Sequence, residues 1–354
     1  MGIAIKNADL VADKETMMKV LLRNRTKYQN DKTFEQRYDW LYHKNPHGPA
    51  AAWLVVDDKK DEVVGFTSAF PRRMSVFGED SLAWNCADFS IDQAYRVLGV
   101  AIKLRRAAKN GVDSGDMPFL YAHPNDRMLV IHQKVGHHAI GHMKRYAALL
   151  RVDKMISQRV KHDLASSVLR GVGNPLLKFA SPSPRKKDAG LRCEFAVNDT
   201  FGEEFSDLYE QAKDVFPVIG CRDAEYLNWR YTENPLQTFE TLKFYHQGRL
   251  AGYCIFDQQG DVAHIADFLA VKPDELIESM LAELFSWLRE RRVATASIKL
   301  HTGNVLLPHL LRFGFQERDD ATSTVIAYAP ESSPFAEAVT KPGNWFMTVG
   351  DRDV

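Results

Sequence analysis

Cysteine is scarce in this sequence and forms no motif. The four cysteines, Cys86, Cys193, Cys221 and Cys254, are scattered along 354 residues, and no two of them make a Cys-x-x-Cys pair. So few thiols at such spacings exclude a disulfide framework. We therefore expect free thiols that are buried in the core.

The chain also lacks net charge, because 46 lysines and arginines balance 46 aspartates and glutamates. No overall electrostatic field therefore holds it on nucleic acid or on an anionic membrane. Long apolar runs are absent as well, both at the length of a membrane span and as the core of a signal peptide. These absences predict a cytoplasmic protein with no nucleic-acid partner and no membrane span, and they leave its oligomeric state open.

A familiar metal-binding pattern is missing too. His132, His137, His138 and His142 lie close together in the sequence, but no nearby cysteine completes a known ligand spacing. We therefore predict no metal site.

What the sequence does contain is a repeat. The motif Trp-x-Tyr-x-x-Asn-Pro occurs at residues 40–46 and again at residues 229–235, and every matched position is displaced by 229 − 40 = 189 residues. Downstream, Ala-Asp-Phe occurs at residues 87–89 and again at 266–268. A period this long indicates duplicated domains rather than a solenoid.

Local patterns support two copies of one α/β unit. Ile3 to Lys6 alternates like a strand, and Lys14 to Arg25 has helical spacing. Two strands joined by a polar turn are predicted over 53–56 and 63–70, and again over 241–245 and 250–256. We predict a first domain over 1–151, a helix over 152–169 with a Gly, Pro, Ser and Lys-rich linker up to residue 190, and a second domain over 191–354.

The first copy has a distinctive stretch from Ala87 to Ala107 that reads as strand, turn and helix. At the start of the helix stands Arg96-x-x-Gly99-x-Ala101, and Asn110-Gly111 is expected to end it. The first-turn amide groups of a helix have no intrahelical partner and favour an anion, so a phosphate can lie on this backbone. The alternative is a tight turn in which Gly99 serves packing alone.

This stretch resembles the acyl-CoA pyrophosphate loop of the GNAT N-acyltransferase superfamily, whose form is Arg/Gln-x-x-Gly-x-Gly/Ala. The resemblance implies two GNAT-like domains, each with a mixed, mostly antiparallel central sheet flanked by helices. It also implies acetyl-CoA or another acyl-CoA as co-substrate. The residues that it places at the cofactor are Phe89, Ser90, Ile91, Arg96, Val97, Leu98, Gly99, Val100, Ala101 and Asn125.

A second stretch resembles the superfamily signature Asn-x-x-Ala-x-x-x-Tyr-x-x-x-Gly. Asn125 and Gly136 fit its spacing, Met128 replaces the alanine, and His132 occupies the tyrosine position. That tyrosine can protonate the departing thiolate, and imidazole titrates near neutral pH, so His132 is a candidate for the acid. The alternative is a structural histidine on a half-buried helix.

Asp88 is the candidate for the other half of the reaction. By the resemblance, Asp88 faces the cleft at a strand end, where a carboxylate can accept the proton of an ammonium acceptor. Its repeat partner Asp267 supports a purely structural purpose instead. Lys103, Arg105, Arg106 and Lys109 can place one charge near the nucleotide 3′-phosphate, or can be an ordinary solvated helix face.

The second copy lacks the loop. Leu276, Ser279 and Leu281 stand opposite Arg96, Gly99 and Ala101, and a helix is expected from Asp274. This copy is either a buttress or one wall of the acceptor pocket. Residues 345–349 predict a last strand, followed by an acidic tail at 350–353 that is solvated or binds the acceptor's cation.

Together these features predict an acyl-CoA-dependent N-acyltransferase that transfers an acyl group directly, most simply acetyl, to a small amine or amino sugar. One alternative is a Fem-type aminoacyltransferase, which takes aminoacyl-tRNA; a neutral chain with a CoA loop is a poor match to it. The other is an acyl-CoA-binding protein without turnover.

Overall fold

The computed structural model describes residues 2–25, 31–151, 184 and 190–352. The helix predicted over 152–169 and almost all of the predicted linker lie outside the described residues. Fourteen strands are described: β1 (Ile3–Asn7), β2 (Ala51–Asp57), β3 (Glu62–Val76), β4 (Glu79–Ile91), β5 (Phe119–Ala122), β6 (His138–Leu149), β7 (Leu191–Val197), β8 (Val218–Gly220), β9 (Glu240–His246), β10 (Arg249–Gln259), β11 (Val262–Ala270), β12 (Thr295–His301), β13 (Gln316–Tyr328) and β14 (Trp345–Phe346).

Helices flank these strands in both halves. The α-helices are α1 (Lys14–Asn24), α2 (Asp31–Tyr38), α3 (Leu98–Asp113), α4 (Asp126–Lys134), α5 (Glu203–Lys213), α6 (Ala224–Leu227), α7 (Pro273–Glu290), α8 (Leu307–Arg312) and α9 (Ala336–Thr340). The strand, hairpins and helices predicted from local patterns in each half are confirmed within a few residues. The predicted fold class is confirmed as well.

The two halves share one continuous sheet. Its main path runs β1-β2-β3-β4-β5-β13-β6-β12-β11-β10-β9-β7, so β13 of the second half lies between β5 and β6 of the first. In return, β6 pairs with β12 of the second half over Met143–Leu149. Each half therefore completes its sheet with the last long strand of the other. This exchange was not predicted from the sequence, because its pairings join residues about 150 to 200 positions apart.

The repeated Trp-x-Tyr motif joins the halves a second time. Trp40 and Trp229 lie on two single π-helical turns, Asp39–His43 and Asn228–Thr232. Each indole N–H donates to the other tryptophan's carbonyl oxygen, at 2.9 and 3.2 Å, and the rings stack at 4.9 Å between centroids. The reciprocal contact is what a pseudo-two-fold arrangement of two equivalent units requires.

Two predicted boundaries are wrong. Helix α3 continues through Asn110-Gly111 to Asp113, because Gly111 serves packing: a Cβ there would lie 3.0 Å from the Met117 sulfur. The chain turns instead at Gly115, in the left-handed region at φ +90°. Near the C-terminus, β14 has only two residues, and Thr348 to Asp351 form a capped turn.

The predicted acidic tail is not a solvated segment. Asp351 is buried, and its carboxylate accepts hydrogen bonds from Arg222 at 2.6 Å and Arg72 at 3.1 Å. Burial alone would raise the pKa of Asp351, but the two guanidinium groups lower it well below its ordinary value. The negative charge of Asp351 is therefore already balanced by two arginines, and Asp351 is not free to bind an acceptor's cation. Asp353 lies outside the described residues.

Candidate active site

The candidate site lies where β4 and β5 separate. These strands pair in parallel only from Ala83 to Cys86 on β4, opposite Phe119 to Ala122. Beyond that point β4 continues to Ile91 with a register shift against β3, and Asp88 there adopts φ +39°, which is uncommon for a residue with a side chain. On the other side, β5 ends and the chain turns through Pro124 into α4.

The separation opens a cavity of about 130 Å³, which we call the β4–β5 cavity. Four residues predicted from the sequence meet there: Asp88, Phe89, Asn125 and His132. They come from β4 and α4, so the fold brings together positions about 40 residues apart. Arg25, Arg105 and His123 line the same cavity and were not predicted to do so.

The predicted pyrophosphate loop stands at the start of α3 and is open. Val97 and Leu98 are 50% and 49% exposed, whereas Val100 and Ala101 are buried on the inner face of the helix. A Cβ on Gly99 would meet no atom within 4 Å, and its backbone is outside the left-handed region. Neither packing nor backbone conformation therefore requires glycine at this position. The amides of Val100 and Ala101 donate to the Val97 carbonyl oxygen at 3.1 and 3.3 Å, so the amides of Leu98 and Gly99 are the ones on which a phosphate can lie directly.

Arg96 connects the loop to two neighbouring elements by hydrogen bonds. Its Nε donates to the carbonyl oxygen of Ile91 at 2.7 Å, and its Nη2 donates to Asn24 Oδ1 at 2.6 Å. Asn24 in turn donates to Asp92 at 2.6 Å. The end of α1 and the end of β4 are thus tied to the start of α3, and Ser90 Oγ adds a long contact of 3.4 Å to the carbonyl of Val20.

Asp88 is held tightly by its neighbours. Arg37 donates to its two oxygens at 2.8 and 3.2 Å, Arg25 donates at 3.2 Å, and the Tyr42 hydroxyl donates at 3.0 Å. Burial would raise the pKa of Asp88, but these cations and hydrogen bonds outweigh burial and lower it. A carboxylate with a lowered pKa is a weaker base. The lowered pKa therefore argues against the predicted role of Asp88 as the proton acceptor.

Asp267, the repeat partner of Asp88, is held in a similar way. Arg222 donates to its Oδ2 at 3.0 Å, and the hydroxyl groups of Tyr253 and Thr348 donate at 2.9 Å each. In both halves, a buried arginine from outside the repeat motif therefore fixes the aspartate that follows the parallel pairing. This shared arrangement gives both aspartates a structural purpose, and of the two only Asp88 lines the β4–β5 cavity.

His132 is buried on α4 and paired with another histidine. Its Nδ1 lies 2.6 Å from Nδ1 of His137, so one ring donates and the other accepts. Burial lowers the pKa of His132 well below its ordinary value, and Arg105 and His137 lower it further. The resting form at neutral pH is therefore the uncharged imidazole.

Sequence reasoning missed Arg25 and His123 as site residues, and it considered Arg105 only for the 3′-phosphate. Arg105 is 1% exposed and donates one hydrogen bond to Thr67 at 2.8 Å, while its Nε and Nη1 are buried without a partner. Both ring nitrogens of His123 are likewise buried without a partner. Arginine is costly inside a core, so Arg105 at an inward position of α3 was a signal that could have been recognised.

The other basic residues of α3 face elsewhere. Lys103 and Arg106 are exposed, and Lys109 pairs with Asp113 at 2.5 Å. Of the four residues considered for a 3′-phosphate, Arg105 is turned inward, so Lys103 and Arg106 are left on the outer face near the loop.

Asn125 caps α4 by accepting from the Met128 amide at 3.1 Å, and its exposed amide group stays at the mouth of the cavity.

The equivalent position in the second half is closed. Leu276, Ser279 and Leu281 at the start of α7 are 4%, 5% and 0% exposed. These aligned positions are thus packed into the core, and the exposed residues of the first turn of α7, Asp274 and Glu275, carry negative charges that disfavour an anion there. This half keeps the fold without an accessible anion-binding turn.

Comparison with solved structures identifies the architecture. A probable N-acyltransferase from Enterococcus faecalis V583 superposes with a TM-score of 0.67 over 96% of this chain and 75% of its own, at 10% identity. The fold is that of the GNAT acyltransferases. A GCN5-related N-acetyltransferase from Anabaena variabilis gives 0.64 over 92% and 72%, at 14% identity. A tandem GNAT protein from the clavulanic acid biosynthesis pathway gives 0.54 over 92% and 98%, at 14% identity.

Sequence comparison adds nothing to this. No protein-family model matches the chain, and no curated protein is similar to it in sequence.

Three findings concern the other predictions. Cys86, Cys221 and Cys254 are buried, Cys193 is half-buried, and none of these four cysteines forms a disulfide. Across the described residues, no helix combines the length and the apolarity needed to cross a bilayer. In the same part of the chain, no three histidine, cysteine, aspartate or glutamate side chains are grouped so that they could hold a metal ion.

Proposed function

We propose that this protein is an acyl-CoA-dependent N-acyltransferase whose single donor site is in the first half. The observation that carries the proposal is the open first turn of α3 at Gly99, on the same helix whose Arg105 lines the β4–β5 cavity. The GNAT fold supports it, since the structures it resembles include proteins described as N-acyltransferases and N-acetyltransferases. We take acetyl-CoA as the simplest donor and a small amine as the acceptor.

The chain's residues fit such a donor. In this proposal the amides of Leu98 and Gly99 would hold the pyrophosphate, and the gap between β4 and β5 would receive the pantetheine arm. The bound donor supplies a thioester, whose carbonyl carbon takes the lone pair of the amine while its C–S bond breaks. The amine loses one proton in this exchange, and the departing sulfur gains one.

Three side chains are then assigned roles in the cavity. Asp88 accepts the ammonium proton, directly or through water. Arg105 lines the cavity and has two buried N–H groups without a protein partner, and we assign to them the stabilisation of the negative charge that develops as the C–S bond breaks. His132 is uncharged at rest, and negative charge on the sulfur beside it would raise its pKa and allow it to carry the proton.

The test is Gly99→Glu, which places a bulky anion where the pyrophosphate should lie. Because no protein atom lies within 4 Å of the new Cβ, the variant should fold normally. We expect acetyl-CoA binding, measured by calorimetry, to fall below detection. Unchanged affinity would remove the loop from the donor site.

Gly202→Glu is the matched control. Gly202 precedes α5, is exposed, and likewise has no atom within 4 Å of a Cβ, so the same charge is added at another helix start. This control should bind acetyl-CoA like the wild type. Binding without acylation of any amine in a broad panel would favour the acyl-CoA-binding protein over the enzyme.

A further inference from the structure

A second cavity, in the half that lacks the donor loop, is strongly basic. It has a volume of about 210 Å³ and lies between β6, β11, β12, the π-helical turn of Trp229 and the C-terminal turn. We call it the basic pocket. Arg145, Arg230, Lys299 and Arg352 line it against one acidic residue, Asp257. Four cations concentrated on one small concave surface attract an anion.

Arg230 gives this pocket its strongest signal. The side chain is 4% exposed, and its Nη2 donates only to the Val349 carbonyl oxygen, at 3.3 Å. No carboxylate among the described residues pairs with it, in contrast to Arg222, which binds Asp267 and Asp351. A buried guanidinium without a counter-ion is unfavourable, and a bound anion would relieve that cost.

Arg352 and the repeat support the same conclusion. The Nε of Arg352 is buried without a partner at the wall of the pocket. At the position of Arg230, the first copy has Leu41, which is an ordinary core residue. The second copy therefore carries a charged residue where the repeat tolerates an apolar one.

The basic pocket also lies close to the β4–β5 cavity. Arg230 and Arg352 line a third, very small cavity of about 20 Å³ together with Asn85 and Tyr121. His123, which lines the β4–β5 cavity two residues after Tyr121, connects the two regions. The Tyr121 ring contacts the His123 ring edge-on at 6.1 Å between centroids.

We propose that the basic pocket holds an acidic group, a carboxylate or phosphate, of the amine acceptor. Its amine would then extend past Tyr121 towards the β4–β5 cavity. This inference rests on the proposed transferase function and adds the acceptor's class to it. Arg230 and Arg352 serve as the anion's ligands, because guanidinium groups match carboxylate and phosphate oxygens with paired hydrogen bonds.

Anion binding is tested without acyl-CoA. Inorganic phosphate and acetate are titrated by calorimetry into Gly99→Glu, so that the α3 loop does not contribute. Adding Arg230→Gln should weaken binding of the preferred anion about 10- to 100-fold, and Arg352→Gln should weaken it in the same direction. Arg352→Gln keeps the test decisive if Arg230→Gln unfolds. Arg249→Gln, an exposed position on β10, should leave the affinity unchanged.

Turnover tests the acceptor on a background with an intact loop. Ethanolamine is compared with phosphoethanolamine, and propylamine with β-alanine, using acetyl-CoA. Arg230→Gln should raise KM for the acidic member of a pair and leave the neutral member unchanged. Equal KM values for both members, or anion affinity that neither arginine variant alters, would overturn the inference. Failure of the proposed function shows separately, as acetyl-CoA binding that Gly99→Glu does not affect.

Discussion

At the scale of single residues, the structure adds to each candidate side chain the partners that set its charge. Asp88 and His132, two candidates named from the sequence, both line the β4–β5 cavity, but their partners could not be predicted. Arg37 lies 51 positions before Asp88 and belongs to no motif, and the contact between His132 and His137 depends on how α4 ends. These partners fix the charge of each group, so the protonation states followed only from the structure.

Asp88→Asn is the most informative change at this scale. It leaves Arg37 buried beside a neutral group, so we expect the free energy of unfolding in urea to fall by about 3–5 kcal/mol. Since the pKa of Asp88 is lowered in the folded state, the stability it contributes is present above about pH 4 and is lost as the pH falls further. The difference between wild type and variant should therefore shrink below pH 4.

Asp267→Asn is its internal control. This aspartate has the same kind of buried arginine partner, so its loss should also reduce stability. It lies away from the open loop, however, and turnover per folded molecule should persist. Asp88→Asn should lower turnover by about 10²–10⁴-fold with acetyl-CoA binding retained. Equal turnover of the two variants would mean that water or another residue accepts the proton.

Elements were predicted well where their pattern is local. The helical spacing of α1, the hairpin β2–β3 and the turn before α3 are all contained in short windows of sequence. β8 was not predicted, and β14 was predicted over 345–349 but has only two residues, because each is two or three residues long and exists through pairing with a distant segment. The end of α3 was misplaced because Gly111 signals a stop locally but serves packing against Met117.

The two π-helical turns provide a prediction at this scale. Trp40→Phe and Trp229→Phe each remove one buried N–H and leave a carbonyl of the other turn without its donor. We expect each to cost about 1–3 kcal/mol of unfolding free energy. The double variant should cost less than the sum by about 0.5 kcal/mol or more, because the first change already loosens both turns.

Trp84→Phe separates this effect from the loss of an indole in general. The Trp84 N–H is buried without a partner, so its removal should change stability far less than either variant of the Trp40–Trp229 pair. Strict additivity of the pair would show that the two turns act independently.

The whole molecule is organised by the exchange of β6 and β13. A duplicated fold was visible in the sequence, and so was the difference between the copies at the α3 and α7 helix starts. The interleaving of strands was not, because either copy's pattern is equally compatible with a closed, separate sheet. The domain boundary at residues 152–190 stays a prediction. The two halves on either side of it share one sheet and one hydrophobic core.

The exchange predicts that the halves depend on each other. Residues 1–190 and 191–354, co-expressed as separate chains with a tag on the first, should co-purify in a 1:1 ratio and bind acetyl-CoA. Expressed alone, residues 1–190 lack the strand between β5 and β6 and should not unfold cooperatively. A monomeric 1–190 fragment with cooperative unfolding would contradict this expectation.

The same exchange has a consequence for synthesis on the ribosome. The first half ends its own last strand at Leu149, but its sheet stays incomplete until β13, which ends at Tyr328, has been made. At about 5–20 residues per second, roughly 10 to 40 seconds pass during which β5 and β6 present open edges. The nascent chain therefore presents unpaired strand edges. The β13 strand of a neighbouring nascent chain can pair with them as readily as the chain's own β13 strand.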